Sequence, residues 1–198
     1  MADSSSLTTV RSDSIAARPA TTMTIAVTVS TIGALAGLLA SGVPPAVSAA
    51  IALTVPAAAI DIRQRRIPNA AVSASAVVLV AGGVAGLLQG APTHAPGAVA
   101  GAATMCVPLL LIHLWSPTAM GFGDVKLALV LGAALGVVAV PLALAALALA
   151  AGGTSLVGIV RRSPTMPFGP GLVGGAIVAA TSHPLWIGSV SAAVSGSA

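Results

Sequence analysis

Seven apolar segments, separated by short breaks with proline in or beside them, follow the first 22 residues of the sequence. Each is about as long as a helix that spans a bilayer, roughly 17–25 residues, and proline at a break ends a helix at least cost. The pattern predicts an all-α fold, a polytopic integral-membrane helical bundle of about six to seven transmembrane helices. The segments lie near residues 23–41, 44–60, 70–89, 97–115, 125–140, 142–160 and 168–190.

Charged residues are too scarce for a soluble domain. The sequence is 57% hydrophobic and 6% charged, whereas a soluble domain usually has about a quarter Asp, Glu, Lys and Arg. Lipid must therefore be the main solvent of the folded chain. A net charge of +4 would suggest a nucleic-acid partner in a soluble protein. Here the basic residues lie in short loops, where they orient a membrane protein, and we expect no nucleic-acid partner.

The basic residues are distributed unevenly among the breaks. If the N-terminus is cytoplasmic, alternating spans place every Lys and Arg on the cytoplasmic side, as the positive-inside rule requires. The breaks near 42–43, 90–96 and 141 contain neither. The sequence therefore predicts a multi-pass protein of the cytoplasmic membrane, with the lipid bilayer as the partner of its loop arginines. The basic residues are Arg11, Arg18, Arg63, Arg65, Arg66, Lys126, Arg161 and Arg162.

The N-terminal region allows two interpretations. Residues 1–22 are polar and rich in Ser and Thr, which predicts a disordered tail before a membrane domain of residues 23–198. Residues 11–42 also have basic residues, an apolar stretch and the sequence Ala-Ser-Gly, as a signal peptide would. The apolar stretch is long for a signal peptide and the basic residues are far from it, so we favour the tail, to which we assign no role.

Glycines four residues apart recur in the apolar segments. Such pairs let helices approach closely in membranes. In a sequence this rich in Gly and Ala, we interpret them as general packing, with no specific dimer implied. The pairs are Gly33/Gly37, Gly82/Gly86, Gly97/Gly101 and Gly132/Gly136.

The scarcest residue types gather in three short stretches. After the tail the sequence has two acids, Asp61 and Asp124, one asparagine, Asn69, and two phenylalanines, Phe122 and Phe168. The predicted topology puts all three stretches on the cytoplasmic face. Because a charge at the bilayer centre costs about 2.5–3.5 kcal/mol on insertion scales, an acid kept beside a span usually has a function. The stretches are DIRQRRIPN (61–69), GFGDVKL (121–127) and MPFGPGL (166–172).

Two acids on one face can act as a catalytic pair. The ionised carboxylate takes a proton from water while the neutral one donates a proton to a carbonyl oxygen, which is the chemistry of aspartic proteases. This chemistry needs no metal and no cofactor, and we expect neither. His94, His113 and His183 are scattered without metal-ligand spacing. The single cysteine, Cys106, is interpreted as a small packing residue.

The three stretches together resemble those of the type IV prepilin peptidases, which are membrane aspartic proteases of the GxGD type. In that family the aspartate that opens D-x-R-x-x-x-I-P-N and the one that closes G-x-G-D form the catalytic pair, which implies Asp61 and Asp124 here. The resemblance covers a motif-bearing core at about 45–180 of a transmembrane prepilin-peptidase-like domain. It implies a prepilin-like substrate with an N-terminal apolar helix, from whose cytoplasmic end a short basic leader is cleaved.

One departure from the family bears on activity. Long-form members have an N-terminal cytoplasmic domain with paired Cys-x-x-Cys motifs, which is linked to N-methylation of the cleaved pilin. This sequence has one cysteine and resembles the short, single-function peptidases of tight-adherence (Flp) pili and archaeal-type preflagellins. We therefore expect an aspartic endopeptidase without N-methyltransferase activity.

Helix dipoles suggest which aspartate is ionised at rest. Asp124 is expected at the start of the fifth span, where the dipole and Lys126 favour an anion. Asp61 is expected at the end of the second span, where the dipole disfavours one. This predicts Asp124 as the base and Asp61 as the acid, although three nearby arginines also favour an ionised Asp61.

The remaining site residues have supporting roles in this interpretation. Gly121 and Gly123 would let the backbone bend sharply and admit an extended peptide beside Asp124. Asn69 would cap the third span after Pro68. The last stretch would line the site or form the turn before the final helix through Phe168, Gly169 and Pro170.

Two other functions fit the same sequence. A small membrane transporter or channel could relay protons or bind a cation at the two aspartates, but relay acids belong within a span and these flank loops that contain arginine. A catalytically inactive pilus-assembly protein would keep the fold and both aspartates, and the sequence alone does not distinguish it from an active peptidase.

Overall fold

The computed structural model describes residues 18–64, 67–92, 94–117, 120–162 and 167–195 and, within these ranges, the side chains of residues 22–184. The chain is all-helical over these ranges, as predicted, with eight α-helices and no strand. The helices are α1 (Arg18–Ala40), α2 (Pro45–Ala52), α3 (Val55–Gln64), α4 (Asn69–Leu88), α5 (Ala95–Trp115), α6 (Phe122–Val138), α7 (Val140–Arg161) and α8 (Gly169–Ser195).

The seven predicted segments correspond to these helices, with α2 and α3 together forming the second segment. α6, with 17 residues, lies at the centre of the bundle. α1 begins at Arg18, so residues 18–22 of the predicted tail are helical, and residues 1–17 lie outside the described ranges. Five helical stretches of the described chain are long and apolar enough to cross a membrane: Thr22–Ala40, Pro45–Gln64, Asn69–Leu88, Ala95–Trp115 and Val140–Arg161.

Two turns reverse the chain at glycines in the left-handed region. α1 ends in the turn around Gly42 (φ 79°), where the Val43 N–H donates to the Leu38 carbonyl, and α4 ends around Gly90 (φ 77°). A residue with a Cβ is strained at such φ values, so both turns favour glycine. The first turn lets α1 pack against α2.

The second predicted segment is broken into α2 and α3 beside Pro56. Proline has no N–H to donate to the Ala52 carbonyl, and its ring crowds the preceding turn. Within the break the buried Thr54 hydroxyl donates to the Ile51 carbonyl at 2.6 Å, which satisfies its own hydrogen. α3 then continues to Gln64, which places the end of the segment four residues beyond its predicted end at residue 60.

α5 and α6 pack backbone to backbone along a line of four glycines, called the glycine seam below (Gly97, Gly101, Gly132 and Gly136). A Cβ on Gly101 would meet the Gly132 carbonyl oxygen and lie 2.7 Å from the Gly136 Cα. A Cβ on Gly97 would lie 2.5 Å from the Gly136 carbonyl oxygen. No side chain fits between the two helices. Of the four glycine pairs in the sequence, Gly97/Gly101 and Gly132/Gly136 therefore pack against each other.

α6 also supplies much of the core. Leu127, Leu131 and Leu135, spaced four residues apart, are fully buried and belong to one cluster with residues from the surrounding helices. Because lipid is as apolar as leucine, close packing and not removal from water stabilises these contacts in a membrane. The shape of the core therefore matters more than its hydrophobicity.

The outward faces of α1, α4, α5 and α7 are apolar. Large side chains on them are more than half exposed, for example Ile25, Val80, Leu111 and Ile159. Such a surface would aggregate in water, whereas lipid solvates it. It is the lipid-facing belt that the composition predicts.

The glycine seam generates a stability prediction. We expect Gly132→Ala to lower the free energy of unfolding by about 1–3 kcal/mol, because the new methyl group would force α5 and α6 apart. Gly33→Ala is the matched control, since nothing lies within 4 Å of its Cβ position and alanine is the better helix former. Unfolding in mixed micelles containing SDS, followed by circular dichroism, measures both variants. Equal free energies of unfolding for the two would contradict the close packing.

Candidate functional site

The three stretches singled out in the sequence come together at one end of the bundle. A cavity of about 620 Å³ lies between the end of α3, the start of α4 and the start of α6. The third stretch contacts Asp61, one of the lining residues, through Gly169, the first residue of α8, whose backbone N–H donates to the Asp61 carboxylate. The cavity is lined by Ile60, Asp61, Gln64, Ile67, Pro68, Asn69, Gly121, Phe122, Gly123, Asp124 and Lys126.

Asp61, in the last turn of α3, is held by the N-terminus of α8. It is 6% exposed. The Gly169 N–H is one of the donors that a helix start leaves unpaired, and the dipole there favours an anion. The C-terminal end of the α3 dipole destabilises a negative charge on Asp61, whereas the N-terminal end of the α8 dipole stabilises it. Arg63 is exposed, and Arg65 and Arg66 lie outside the described residues.

Asp124 lies in the first turn of α6, as predicted. Its carboxylate accepts a hydrogen bond from the backbone N–H of Gly121, the N-cap of the helix. In return, the Asp124 N–H donates to the Gly121 carbonyl at 3.1 Å. A side chain at the third helical position that reaches back to the N-cap N–H forms half of a capping box. The carboxylate therefore both closes the start of the helix and lines the cavity.

Burial and the nearby charge of Asp61 raise the pKa of Asp124 to about 6. Burial is the larger cause. Oδ1 of Asp124 is buried and has no hydrogen-bond partner in the described part of the chain, so the charged form loses its solvation at this atom without compensation. The hydrogen bond from Gly121 acts in the opposite direction. Carboxyls that interact in this way titrate as a unit, and together this pair retains a proton below about pH 6.

The contacts described for Lys126 are with Phe122 and Asn69, and its charge is not among the causes that shift the pKa of Asp124, so the prediction that it stabilises the Asp124 charge finds no support. Residues two apart on a helix point to different sides. The Lys126 ammonium lies 5.1 Å from the centre of the Phe122 ring, a cation–π contact. It also donates to Oδ1 of Asn69 at 3.4 Å. Lys126 thus connects the start of α6 to the start of α4 across the cavity.

Asn69 does not cap α4, so that prediction is wrong. Pro68 occupies the N-cap position, in the extended conformation (φ −67°, ψ 124°) that an N-cap adopts, and no side chain caps this helix start. Asn69 is therefore the first helical residue. Its side chain is free to accept the hydrogen bond from Lys126 at the cavity wall.

The glycines of the site are needed for space and not for backbone angles. Neither Gly121 nor Gly123 has a positive φ, so the predicted sharp bend does not depend on glycine. A Cβ on Gly123 would lie 3.2 Å from the Ile67 Cβ. A Cβ on Gly169 would lie 2.7 Å from Oδ2 of Asp61. The last two glycines let the three stretches approach one another.

The other residues of the third stretch support α8. Phe168 packs against the core, and Pro170 is the second residue of the helix, where its missing N–H costs little. Neither lines the cavity in the described structure. Of the two roles that the sequence left open for them, the turn before the final helix is the one the structure supports.

His113 lies beside the site, and the sequence assigned it no role there. It lies in the last turn of α5, its Nδ1 is 2.8 Å from the Met120 carbonyl oxygen, and its ring centre is 5.5 Å from that of Phe122. From the sequence, the histidines were interpreted only as possible metal ligands. In the described residues, no three His, Cys, Asp or Glu side chains could hold a metal ion. The sequence did indicate that His113 lies near the aspartates, because the fourth predicted span ends at the same face of the membrane as they do.

Comparison with known proteins shows the family of the chain. A family model described as the type IV leader peptidase family matches residues 47–156, which is more than half of the chain and includes both aspartates. The chain belongs to the type IV leader peptidase family. No curated protein and no solved structure matches it significantly. Gly169 lies beyond the residues matched to the leader peptidase family, so its contact with Asp61 is known from the structure alone.

The contact between α8 and Asp61 can be tested by a substitution that adds one methyl group at Gly169. In this leader peptidase, Gly169→Ala should lower activity about 10- to 100-fold, because the methyl group would displace Asp61 from its place beside Asp124. Gly174→Ala on the same helix is the control, since nothing lies within 4 Å of its Cβ position. Leader cleavage would be compared at equal amounts of membrane-inserted protein. Wild-type activity in Gly169→Ala would mean that this contact has no part in the reaction.

Proposed function

We propose that this protein is an aspartic endopeptidase that removes the leader peptide from type IV prepilin-like precursors of the Flp (tight-adherence) kind. The observation that supports it is a single cavity lined by both aspartates, in which the charge of Asp61 acts on Asp124. The sequence has no other acid after Asp13. No second carboxyl pair is therefore available in the membrane domain.

Below about pH 6 we assign the proton of the pair to Asp124 and the negative charge to Asp61, the reverse of the dipole-based expectation. Among the buried side-chain atoms of the described residues, Oδ1 of Asp124 lacks a hydrogen-bond donor, which destabilises a negative charge there. The Asp61 carboxylate accepts a hydrogen bond from the Gly169 N–H at the start of α8. Burial of Asp124 and the charge of Asp61 raise the pKa of Asp124 to about 6, which is high for an aspartate.

Peptide hydrolysis then needs only the two carboxyls and a water molecule. Asp61 accepts a proton from water as the water oxygen attacks the scissile carbonyl carbon, and Asp124 gives its proton to the carbonyl oxygen. When the tetrahedral intermediate collapses, Asp61 gives its proton to the leaving amine and Asp124 regains one from a hydroxyl of the intermediate. Both aspartates return to their starting states. The reaction forms no covalent intermediate with the enzyme.

The proposed substrate is itself a membrane protein, with an N-terminal apolar helix and a short basic leader. Its helix would lie in the bilayer beside the bundle, so that the cleavage point reaches aspartates in the terminal turns of α3 and α6. We place the enzyme in the cytoplasmic membrane with this end facing the cytoplasm. N-methylation is not part of the proposal, since the sequence has a single cysteine, Cys106.

Substitution of either aspartate tests the proposal. Asp61→Asn and Asp124→Asn should each lower cleavage of a co-expressed pilin precursor by at least about 100-fold, because each removes a proton-transfer group. Asp13→Asn, the same change outside the family match, should cleave at the wild-type rate. Electrophoresis separates precursor from product, and mass spectrometry locates the cut. Cleavage that persists in both site variants, with the protein inserted in the membrane, would refute the proposal. An inserted but inactive wild type would favour an assembly protein.

The pH dependence should follow the shared proton. As the pH rises through about 6, Asp124 loses its proton and no longer protonates the carbonyl oxygen. At low pH, Asp61 gains a proton and no longer accepts one from water. The pH profile of kcat/KM should therefore be bell-shaped, with its alkaline limb near pH 6. Purified enzyme and a pilin precursor in detergent suffice for this measurement.

The assignment of the proton can also be measured without substrate. Asp61→Asn removes the neighbouring charge that raises the pKa of Asp124, so that pKa should fall. Isotope-edited infrared spectroscopy of the Asp124 carboxyl band reads it directly. Finding the proton on Asp61, with Asp124 ionised well below pH 6 in the wild type, would reverse the assignment.

A further inference from the structure

His113 has no part in the proposed reaction, and it does not line the cavity. Its Nδ1 lies 2.8 Å from the carbonyl oxygen of Met120. Because a carbonyl can only accept, Nδ1 carries the hydrogen and donates it. The half-buried ring also packs against Phe122, with the ring planes tilted by 42°. Two contacts therefore fix the orientation of the imidazole.

The Met120 carbonyl belongs to the same peptide group as the Gly121 N–H, and that N–H donates to the Asp124 carboxylate. One planar peptide group therefore joins His113 to Asp124, with the imidazole at its oxygen and the carboxylate at its N–H. Hydrogen bonds in series polarise one another. The imidazole thus makes the Gly121 N–H a better donor. It also fixes the orientation of the peptide plane, and with it the direction of this N–H toward Asp124.

We propose that His113 is a positioning residue for Asp124, acting through the Met120–Gly121 peptide group to fix the orientation of the catalytic carboxyl. Its role in cleavage rests on the proposed function, whereas the hydrogen-bonded chain from His113 to Asp124 exists without substrate. His113 touches neither substrate nor the reacting atoms in this mechanism.

Three substitutions separate the Nδ1 donor from the bulk of the ring. His113→Phe keeps a ring against Phe122 and removes the donor. His113→Asn puts an amide N–H near the place of Nδ1, and His113→Gln puts it near the place of Nε2. His94→Phe is the matched control, because His94 is an exposed histidine at the other end of the same helix.

Cleavage of a pilin precursor is the first measurement. His113→Phe and His113→Gln should lower kcat about 10- to 100-fold, since a small displacement of a catalytic group has an effect of this size. KM should stay within about threefold of wild type, because substrate binding is not disturbed. His113→Asn should regain most of the activity, and His94→Phe should match wild type. Unchanged kcat in His113→Phe, or equal losses in the Asn and Gln variants at equal membrane insertion, would overturn the inference.

Titration of Asp124 by infrared spectroscopy, without substrate, is the second measurement. Loss of the Nδ1 donor weakens the Gly121 N–H bond that lowers the pKa of Asp124, so His113→Phe should raise that pKa by about half a pH unit. His113→Asn should restore it. If the wild type cleaves pilin and neither kcat nor the titration responds to His113, the positioning role fails and the proposed function stands. If no pilin is cleaved and the titration responds as expected, the positioning of Asp124 stands and the proposed function fails. If His113→Phe does not insert into the membrane, the difference between Asn and Gln decides.

Discussion

The backbone contact between α5 and α6 determines the geometry at the site end of the bundle. The glycine seam leaves no side chain between these helices, so they approach more closely than helices with leucines at the contact. α5 ends and α6 begins at this end, so the seam sets the distance that the connecting residues must bridge. His113 in the last turn of α5 can then reach the Met120 carbonyl. The site therefore depends on packing between residues that are not part of it.

Each aspartate meets the start of a helix, which is how a chain with few charged residues can keep two acids at one end of a membrane bundle. The donors are the backbone N–H of Gly169 for Asp61 and that of Gly121 for Asp124. Neither carboxylate pairs with a Lys or Arg in the part of the chain that the structure describes. One amide N–H for each acid is not enough to stabilise two adjacent negative charges, so the pair retains a proton below about pH 6. A catalytic pair needs this unequal state, one carboxyl neutral and the other charged.

Much of the fold was predictable from the sequence, because the spacing of apolar segments, prolines and basic residues is set by the bilayer. The two aspartates could be identified because charge is rare in this chain. What could not be predicted depends on contacts between distant segments. The start of α8 beside Asp61 changes the carboxyl to which we assign the proton, and the Asn69 side chain accepts from Lys126 instead of capping its helix. The role that we propose for His113 depends on its contact with a peptide group seven residues further along the chain. Periodicity and composition contain no information on such contacts.

The position of the aspartates also bears on the choice between hydrolysis and proton transport. A relay needs polar groups, or water held by them, along a continuous path through the bundle. Beyond the aspartates, α6 continues into the core with fully buried leucines at positions 127, 131 and 135. The buried hydroxyls of Ser48, Thr54 and Ser75 donate to backbone carbonyls three to five residues earlier in the chain, so they do not link the site to the opposite end. By contrast, the cavity is bordered by exposed residues, Gln64, Phe122 and Lys126, which lets water reach the pair from one side. A carboxyl pair in an open cavity at one end of the bundle is suited to hydrolysis of a peptide bond by water, and poorly suited to passing a proton across the membrane.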